Sequence, residues 1–213
     1  MLYESKSNEM EVKAPQKIPI KLGYIELPLL LKFKRIIRMA IVEVKVGSIV
    51  KRELIYRTNR LKLNFIIENP RPGLNTLEIR IVQGPRVMYC KKLNVEFVDD
   101  PLENIIVTAR RISDVIYDIV VEFNLKRRVD SIELKLNRYD PYTLLPLSKP
   151  ITFLELKDLD VGKYNYSLGR HDLTTEHELH IVARCSELTW DRSIFIPVSY
   201  THLRAHETSL HIV

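Results

Sequence analysis

Several residue types that specialised proteins rely on are scarce or absent. The 213 residues include only six glycines and two cysteines. Phosphate-binding loops need glycines at fixed spacing, and disulfide scaffolds need many thiols. This chain has few residues of either type from which such features could be built. The chain also has no Gly-x-Ser-x-Gly, Cys-x-x-Cys or His-Glu-x-x-His motif. We therefore expect no catalytic residues, no cofactor-binding residues, no metal ligands and no enzymatic activity.

Long hydrophobic runs are missing as well. The densest run, Leu27–Leu31, is interrupted by Pro28 and followed by Lys32 and Lys34, and it is far shorter than the roughly 18 residues of a membrane span. Residues 1–17 are polar and charged and lack the apolar centre of a signal peptide. We expect no membrane span in this sequence, and the sequence assigns the chain to no compartment.

Alternation of apolar and polar residues runs through most of the chain. This period of two is typical of strands with one buried face, and β-branched residues dominate the runs. Ile116–Phe123, within a more ambiguous segment, also fits a strand better than a helix. The clearest runs are Ala40–Val46, Leu61–Ile67, Leu77–Ile81 and Leu93–Phe97. The pattern predicts an all-β protein.

Proline, glycine and aspartate punctuate these runs and predict the domain organisation. Asp99-Asp100-Pro101 follows one strand and marks a boundary, and 68–73 and 160–163 are predicted loops. The predicted organisation is a polar segment at 1–17, a β-sandwich at 18–98, a linker at 99–102 and a second sandwich at 103–197.

The second half of the chain carries a family resemblance. Leu156–Leu168, Glu178–Ala183 and Ser193–Pro197 resemble the closing strands of immunoglobulin-like and fibronectin type III-like modules. The resemblance covers 102–196 and, more loosely, 18–98. It implies two immunoglobulin-like sandwiches in tandem. The Cys…Trp…Cys set of antibody domains is absent because Trp190 lies near the end, so the resemblance implies a fold and no specific function.

Residues 198–213 have a different character. Val198–Thr208 reads Val-Ser-Tyr-Thr-His-Leu-Arg-Ala-His-Glu-Thr and resembles translated sequencing-adapter DNA. We expect this tail to be foreign to the fold and the native protein to continue past Ile196. His202, His206 and His211 are therefore not treated as metal ligands.

Three other histidines, His171, His177 and His180, lie close together in sequence. Zinc needs three or four ligands that converge on one point. His177 and His180 have opposite parity, so a regular strand sends them to opposite faces. We expect surface histidines without metal, with His180 pointing away from a core that contains Leu179 and Ile181.

Basic residues form three clusters: Lys32–Arg35 with Arg38, Arg110–Arg111, and Lys126–Arg128. Lys32 and Lys34 alternate with apolar residues, as on the wet face of a strand, and the third cluster fits a hairpin loop. Charged strand edges also prevent unwanted pairing. The structural interpretation is favoured over a nucleic-acid surface because no recognition motif accompanies the clusters.

Tyrosines and cysteines complete the candidate residues. Tyr139, Tyr142, Tyr164 and Tyr166 could form an aromatic ligand patch, although tyrosines packed in a core with a bonded hydroxyl are more usual. Cys90 and Cys185 fall in different predicted domains, so we expect two free, buried and inert thiols.

The function that this sequence favours is a non-catalytic structural or protein-interaction module, part of a larger surface, adhesion or virion-type protein. Its partners would be another protein or further repeats of the same chain. One alternative is a basic cytoplasmic scaffold that binds nucleic acid or acidic partners. Another is a pair of accessory domains from a truncated enzyme.

Overall fold

The structure is a computed structural model that describes residues 2–6, 10–140, 143, 145–147, 151–173 and 176–196. These residues form strands, turns and loops. The chain divides into two compact units, one of residues up to 100 with 187–190 and one of 101–186 with the residues from 191 on. Within the described residues, no helix is long and apolar enough to cross a membrane.

The first unit is a seven-stranded sheet in the order β1-β2-β4-β6-β7-β3, with β5 paired to β4. All of its pairs are antiparallel except β3 with β7. Its strands are β1 (Leu2–Lys6), β2 (Met10–Pro15), β3 (Lys17–Pro19), β4 (Tyr24–Val46), β5 (Ile49–Glu68), β6 (Gly73–Gln83) and β7 (Arg86–Val98).

The long hairpin β4–β5 connects the two parts of this unit's sheet. It turns through Gly47 and Ser48, where Gly47 has a φ of 57° that a residue without Cβ adopts at little cost. β4 pairs with β2 through its first half and with β6 through its second half. One strand therefore contributes to both parts of the sheet.

A large β-bulge separates the two halves of β4. The ladder pairs Lys32 with Arg60 and resumes with Ile37 opposite Thr58, so residues 33–36 of β4 lie opposite Asn59 alone. Extra residues on one strand bend it and increase its twist. The bend allows both halves of the sheet to contribute to one core, which includes Val12, Leu31, Val44, Ile79 and Val95.

The core of the first unit begins earlier in the chain than the predicted start at residue 18. Met10, Val12 and Ala14 of β2 are buried in that core, so the segment 1–17 contains a strand of the sheet and is not wholly outside it. Met10-Glu11-Val12-Lys13-Ala14 alternates like the longer strands, but its short length and polar surroundings hid the pattern.

The second unit has two sheets, β11-β10-β13-β14 and β12-β9-β8. Their inward faces share one core that includes Phe123, Leu134, Leu179 and Ile181. This confirms the predicted all-β, immunoglobulin-like sandwich. Its strands are β8 (Leu102–Arg111), β9 (Ile116–Leu125), β10 (Val129–Tyr139), β11 (Ile151–Leu159), β12 (Gly162–Asp172), β13 (Glu176–Cys185) and β14 (Leu188–Phe195).

The segment between β7 and β8 is short and packed. Asp100 and Leu102 are buried. The Asp100 N–H donates to Asp99 Oδ1 at 3.0 Å, and the Lys126 N–H donates to the Pro101 carbonyl at 2.9 Å. The division between the two compact units falls within this segment, between Asp100 and Pro101, and these hydrogen bonds fix its backbone.

Candidate interaction surface

Exposed cations surround the β4–β5 bulge. Lys32 has an acidic partner, Glu11, at 3.5 Å. Six further cations of the region form no ion pair with any residue that the structure describes. They are Lys34, Arg35 and Arg38 of β4 and Arg57, Arg60 and Lys62 of β5. The strand register brings them together because Lys32 lies opposite Arg60 and Ile37 opposite Thr58.

Large apolar side chains are exposed beside these cations. Ile36 is 66% exposed, Met39 56%, Leu54 66% and Tyr56 64%. Met39 lies opposite Tyr56, and the Arg57 guanidinium carbon lies 5.5 Å from the centre of the Tyr56 ring. We call these four residues and the six cations the hairpin surface.

A row of ion pairs borders the hairpin surface across β5, β4 and β6. The Glu43 carboxylate accepts a hydrogen bond from Arg52 Nε at 2.8 Å and lies 3.7 Å from the Arg80 guanidinium. Arg80 also bonds Glu78 and thereby holds the pKa of that carboxyl below its ordinary value. Charges in this row neutralise one another. The six cations of the hairpin surface lie outside this neutralised row.

Three of the five cations in the predicted basic clusters of the second unit are paired locally. Arg111 bonds Asp114 at 2.6 Å, Lys126 bonds Glu103 at 2.7 Å, and Arg128 lies 3.4 Å from Asp158. Lys126–Arg128 does occupy the hairpin loop between β9 and β10, as predicted. These three cations have acidic partners in their own unit, in contrast to the six cations of the hairpin surface.

The histidines do not converge. His171 lies on β12, in one sheet, and bonds the Leu168 carbonyl at 2.9 Å, whereas His177 and His180 lie on β13, in the other sheet. His180 contacts Asp191, and Leu179 and Ile181 are buried as predicted. Among the described residues, no group of three or more His, Cys, Asp or Glu side chains could hold a metal ion.

His177 differs from the prediction that these histidines are on the surface. It is only 2% exposed, because it shares the parity of Leu179 and Ile181 and so points into the sandwich. The alternation that places His180 outside places His177 inside.

The tyrosines also separate instead of forming one patch. Tyr164 and Tyr166 stack at 6.3 Å and pack against the core beside Phe123. The Tyr164 hydroxyl donates to the Asp160 carbonyl at 2.9 Å. Tyr139 lies on the other sheet and donates to Glu178 at 2.7 Å. Tyr142 and the tail 198–213 lie outside the described residues.

Both cysteines are free, as expected, but the expectation of burial is wrong. Cys90 is exposed and Cys185 half-buried. Cys90 lies opposite Arg80, on the outer face of its sheet, and its thiol donates to Glu78 at 3.6 Å. Leu93 and Val95 of the same strand have the opposite parity and are buried in the core.

The cations contributed by β5 were not among the basic clusters predicted from the sequence. Arg57, Arg60 and Lys62 are separated by Thr58-Asn59 and by Leu61 and form no continuous basic run. The signal was the Gly47-Ser48 turn, since a two-residue hairpin loop fixes which residues of two strands lie opposite each other. Counting back from that turn brings Arg57 beside the basic run of β4.

Comparisons with known proteins identify similar structures only. No family model matches the chain, and no curated protein matches it. A two-domain fibronectin type III segment of chicken tenascin is 12% identical with a TM-score of 0.33, over 93% of this chain and 98% of that one. The FN1–FN3 domains of chicken CNTN1 are 9% identical with a TM-score of 0.37, over 86% of this chain and 65% of that one. Neither similarity assigns a ligand or an activity.

Proposed function

We propose that the chain is a non-catalytic module that binds an acidic protein partner through the hairpin surface. The main support for this proposal is the set of six exposed cations that lack ion-pair partners among the described residues. Several surface cations in the second unit do have acidic neighbours, as Lys163 has Glu122 at 3.0 Å. Unneutralised charge of one sign steers a partner of the opposite sign.

The composition of the hairpin surface supports a protein as the partner. Tyr, Met and Arg are enriched in protein interfaces, and Met39, Tyr56 and Arg57 lie next to one another here. Exposed Ile36 and Leu54 offer apolar contacts that a phosphate backbone does not use. Binding of an acidic protein would bury these side chains and neutralise the cations together.

Nucleic acid is the competing partner, since the same cations would also attract phosphates. Proteins that bind single strands add aromatic platforms for several bases, and Tyr56 is the aromatic member of the hairpin surface. The charge fits both partners, but the apolar side chains fit a protein better.

The test compares two triple variants of equal charge. Arg57→Gln/Arg60→Gln/Lys62→Gln removes cations of the hairpin surface. Arg111→Gln/Lys126→Gln/Lys163→Gln removes paired cations of the second unit and serves as the control. Binding of labelled poly-L-glutamate and of a labelled DNA duplex is measured by fluorescence anisotropy at low and physiological salt.

We expect the first triple variant to weaken polyglutamate binding by about threefold to a hundredfold, since exposed ion pairs contribute about 0.2–1 kcal/mol each. The control should bind like the unmodified protein. Equal weakening by both variants would reject the hairpin surface as the site. Duplex binding that survives physiological salt while polyglutamate binding is lost would replace the acidic protein with nucleic acid.

We propose further that the module works within a longer protein of surface, adhesion or virion type. Support comes from the tandem sandwiches, because such units are commonly repeated in arrays in which loops and sheet faces carry the contacts. The uninterrupted gene from the same source tests this. Additional sandwich units in it would support an array, and a catalytic domain would favour the accessory-domain alternative.

A further inference from the structure

One edge of the first unit's sheet is long and open. Within the described residues β5 pairs with β4 alone, so the opposite edge of its 20 residues has no strand beside it. A strand edge presents unpaired N–H and C=O groups to which another extended chain can add. The direction of these groups along β5 decides where a chain could bind.

Two observations fix that direction. The Thr58 hydroxyl donates to the Arg60 carbonyl at 2.7 Å and accepts the Arg60 N–H at 3.2 Å, so both groups of Arg60 are used away from β4. Pro28, which has no N–H, lies opposite Asn64. Antiparallel residues alternate between pairs that bond each other and pairs that do not, and both observations place Arg60 and Asn64 in the second class.

The same alternation then directs Lys62 and Ile66 toward the open edge. We call the backbone of 62–66 the β5 edge. Residues of the other parity, Leu61 and Leu63, direct their backbone groups toward β4. The Thr58 hydroxyl already bonds the N–H and the C=O of Arg60. The N–H and C=O groups available at the β5 edge therefore begin at Lys62.

Side chains along β5 define what kind of strand would fit. Arg60 and Lys62 are exposed on the outer face. Leu61 and Leu63 pack against the core but are only partly buried, because no strand covers them laterally. A neighbouring strand would place one set of side chains beside the two cations and the alternate set beside the two leucines.

We propose that the β5 edge binds an extended protein segment in which acidic and apolar side chains alternate, by adding it to the sheet as a strand. This rests on the proposed function and gives its acidic partner a conformation and a sequence pattern. Acidic side chains of the segment lie beside Arg60 and Lys62, and apolar ones lie beside Leu61 and Leu63. A second copy of β5 does not fit, because it would place cations against cations.

The experiment uses the full chain and a labelled, end-capped (Glu-Val)5 peptide. Three further peptides are measured: one N-methylated at every Glu amide, one N-methylated at every Val amide, and one of equal composition with the five Glu before the five Val. In a strand, alternate amides face the neighbouring strand. One N-methylated peptide should therefore bind about tenfold or more weakly while the other binds like the parent.

A matched pair of protein variants tests the edge from the other side. Asn64→Pro removes an N–H that points to the open edge and leaves the β4 ladder intact, as edge positions tolerate proline. Asn64→Ala keeps that N–H. We expect Asn64→Pro to weaken the parent peptide by about tenfold and Asn64→Ala to leave it unchanged. Circular dichroism confirms that each variant remains folded.

The outcomes separate this inference from the proposed function. If Arg57→Gln/Arg60→Gln/Lys62→Gln loses the peptide but both N-methylated peptides bind like the parent, the acidic partner stands and strand addition is wrong. If the triple variant binds the parent peptide normally, the proposed function fails as well. Equal binding of the block peptide would likewise overturn the alternating pattern. The peptide comparisons decide the matter even if Asn64→Pro does not fold.

Discussion

Lys32 and Arg60 lie directly opposite each other in the β4–β5 ladder, at the last pair before the bulge. Like charges opposite one another on adjacent strands are destabilising. Glu11 offsets the charge of Lys32 at 3.5 Å, but Arg60 has no acidic partner among the described residues. Departures from local stability rules concentrate at functional sites, which is consistent with a role in binding.

Reversing one of these charges should therefore separate stability from binding. We expect Arg60→Glu to raise the free energy of unfolding by about 0.2–1 kcal/mol, the range for an opposite-charge cross-strand pair. The same variant should bind polyglutamate more weakly. Urea unfolding and fluorescence anisotropy measure the two effects.

Lys163→Glu is the control for this charge reversal. Lys163 bonds Glu122 at 3.0 Å, so its reversal creates a repulsive pair and should lower the stability slightly while leaving polyglutamate binding unchanged. A lower stability of Arg60→Glu would show that the Lys32–Arg60 repulsion is already relieved.

Truncation should cost far more stability at residue 181 than at residue 180. Ile181 is fully buried in the second core, so Ile181→Ala should lower the free energy of unfolding by about 2–5 kcal/mol. His180 points outward, and His180→Ala should cost about 0.5 kcal/mol or less. Urea unfolding of the two variants measures this, and a larger effect at His180 would show that its contact with Asp191 supports the sheet.

Alternation explains why much of the fold could be predicted from the sequence. A side chain's face follows from its parity, so Leu179, His180 and Ile181 were assigned from the pattern alone. The bulge at 33–36 breaks this rule. It depends on the pairing of β4 with β5, and no local pattern announces it. The hairpin surface was accordingly found only in part, because half of its cations come from the partner strand.

The two cysteines should differ in reactivity. Cys90 is exposed and Cys185 is half-buried, and access is one determinant of thiol reactivity. We expect a thiol reagent such as DTNB to modify Cys90 faster in the folded protein. Cys90→Ser should remove the fast phase and Cys185→Ser the slow phase. In urea the two thiols should react at equal rates. Equal modification rates for Cys90 and Cys185 in the folded protein would contradict the exposure of Cys90.

Limited proteolysis should spare the segment between the two units. Residues 99–102 are predicted to be a linker, and linkers are usually cleaved first. Here Asp100 and Leu102 are buried and the Pro101 carbonyl is bonded. A protease that cleaves before aspartate should cut first at Asp114 and Asp160, which are exposed. Mass spectrometry of early fragments tests this order. First cleavage at Asp99 or Asp100 would show that 99–102 is an open linker.

Acid should weaken the second unit through Glu178. Burial alone raises the pKa of this carboxyl, but hydrogen bonds from Tyr139, Asn137 and Ser193 outweigh it and hold the pKa below its ordinary value. A carboxyl with a lowered pKa in the folded state stabilises the protein above its unfolded pKa, about 4.3 for glutamate. That stabilisation is lost as the pH falls through the lower, folded value.

Glu178→Gln should consequently be less stable than the unmodified protein at pH 7, and the difference should shrink as the pH approaches 3. The amide cannot carry the charge that the three donors stabilise at neutral pH, whereas at low pH the glutamate is neutral as well. Urea unfolding at pH 7, 5 and 3 measures the difference. Exposed Glu155 supplies the control, because Glu155→Gln leaves the Glu178 network intact. A stability difference for Glu178→Gln that stays constant over this range would show that these hydrogen bonds do not depend on the charge of Glu178.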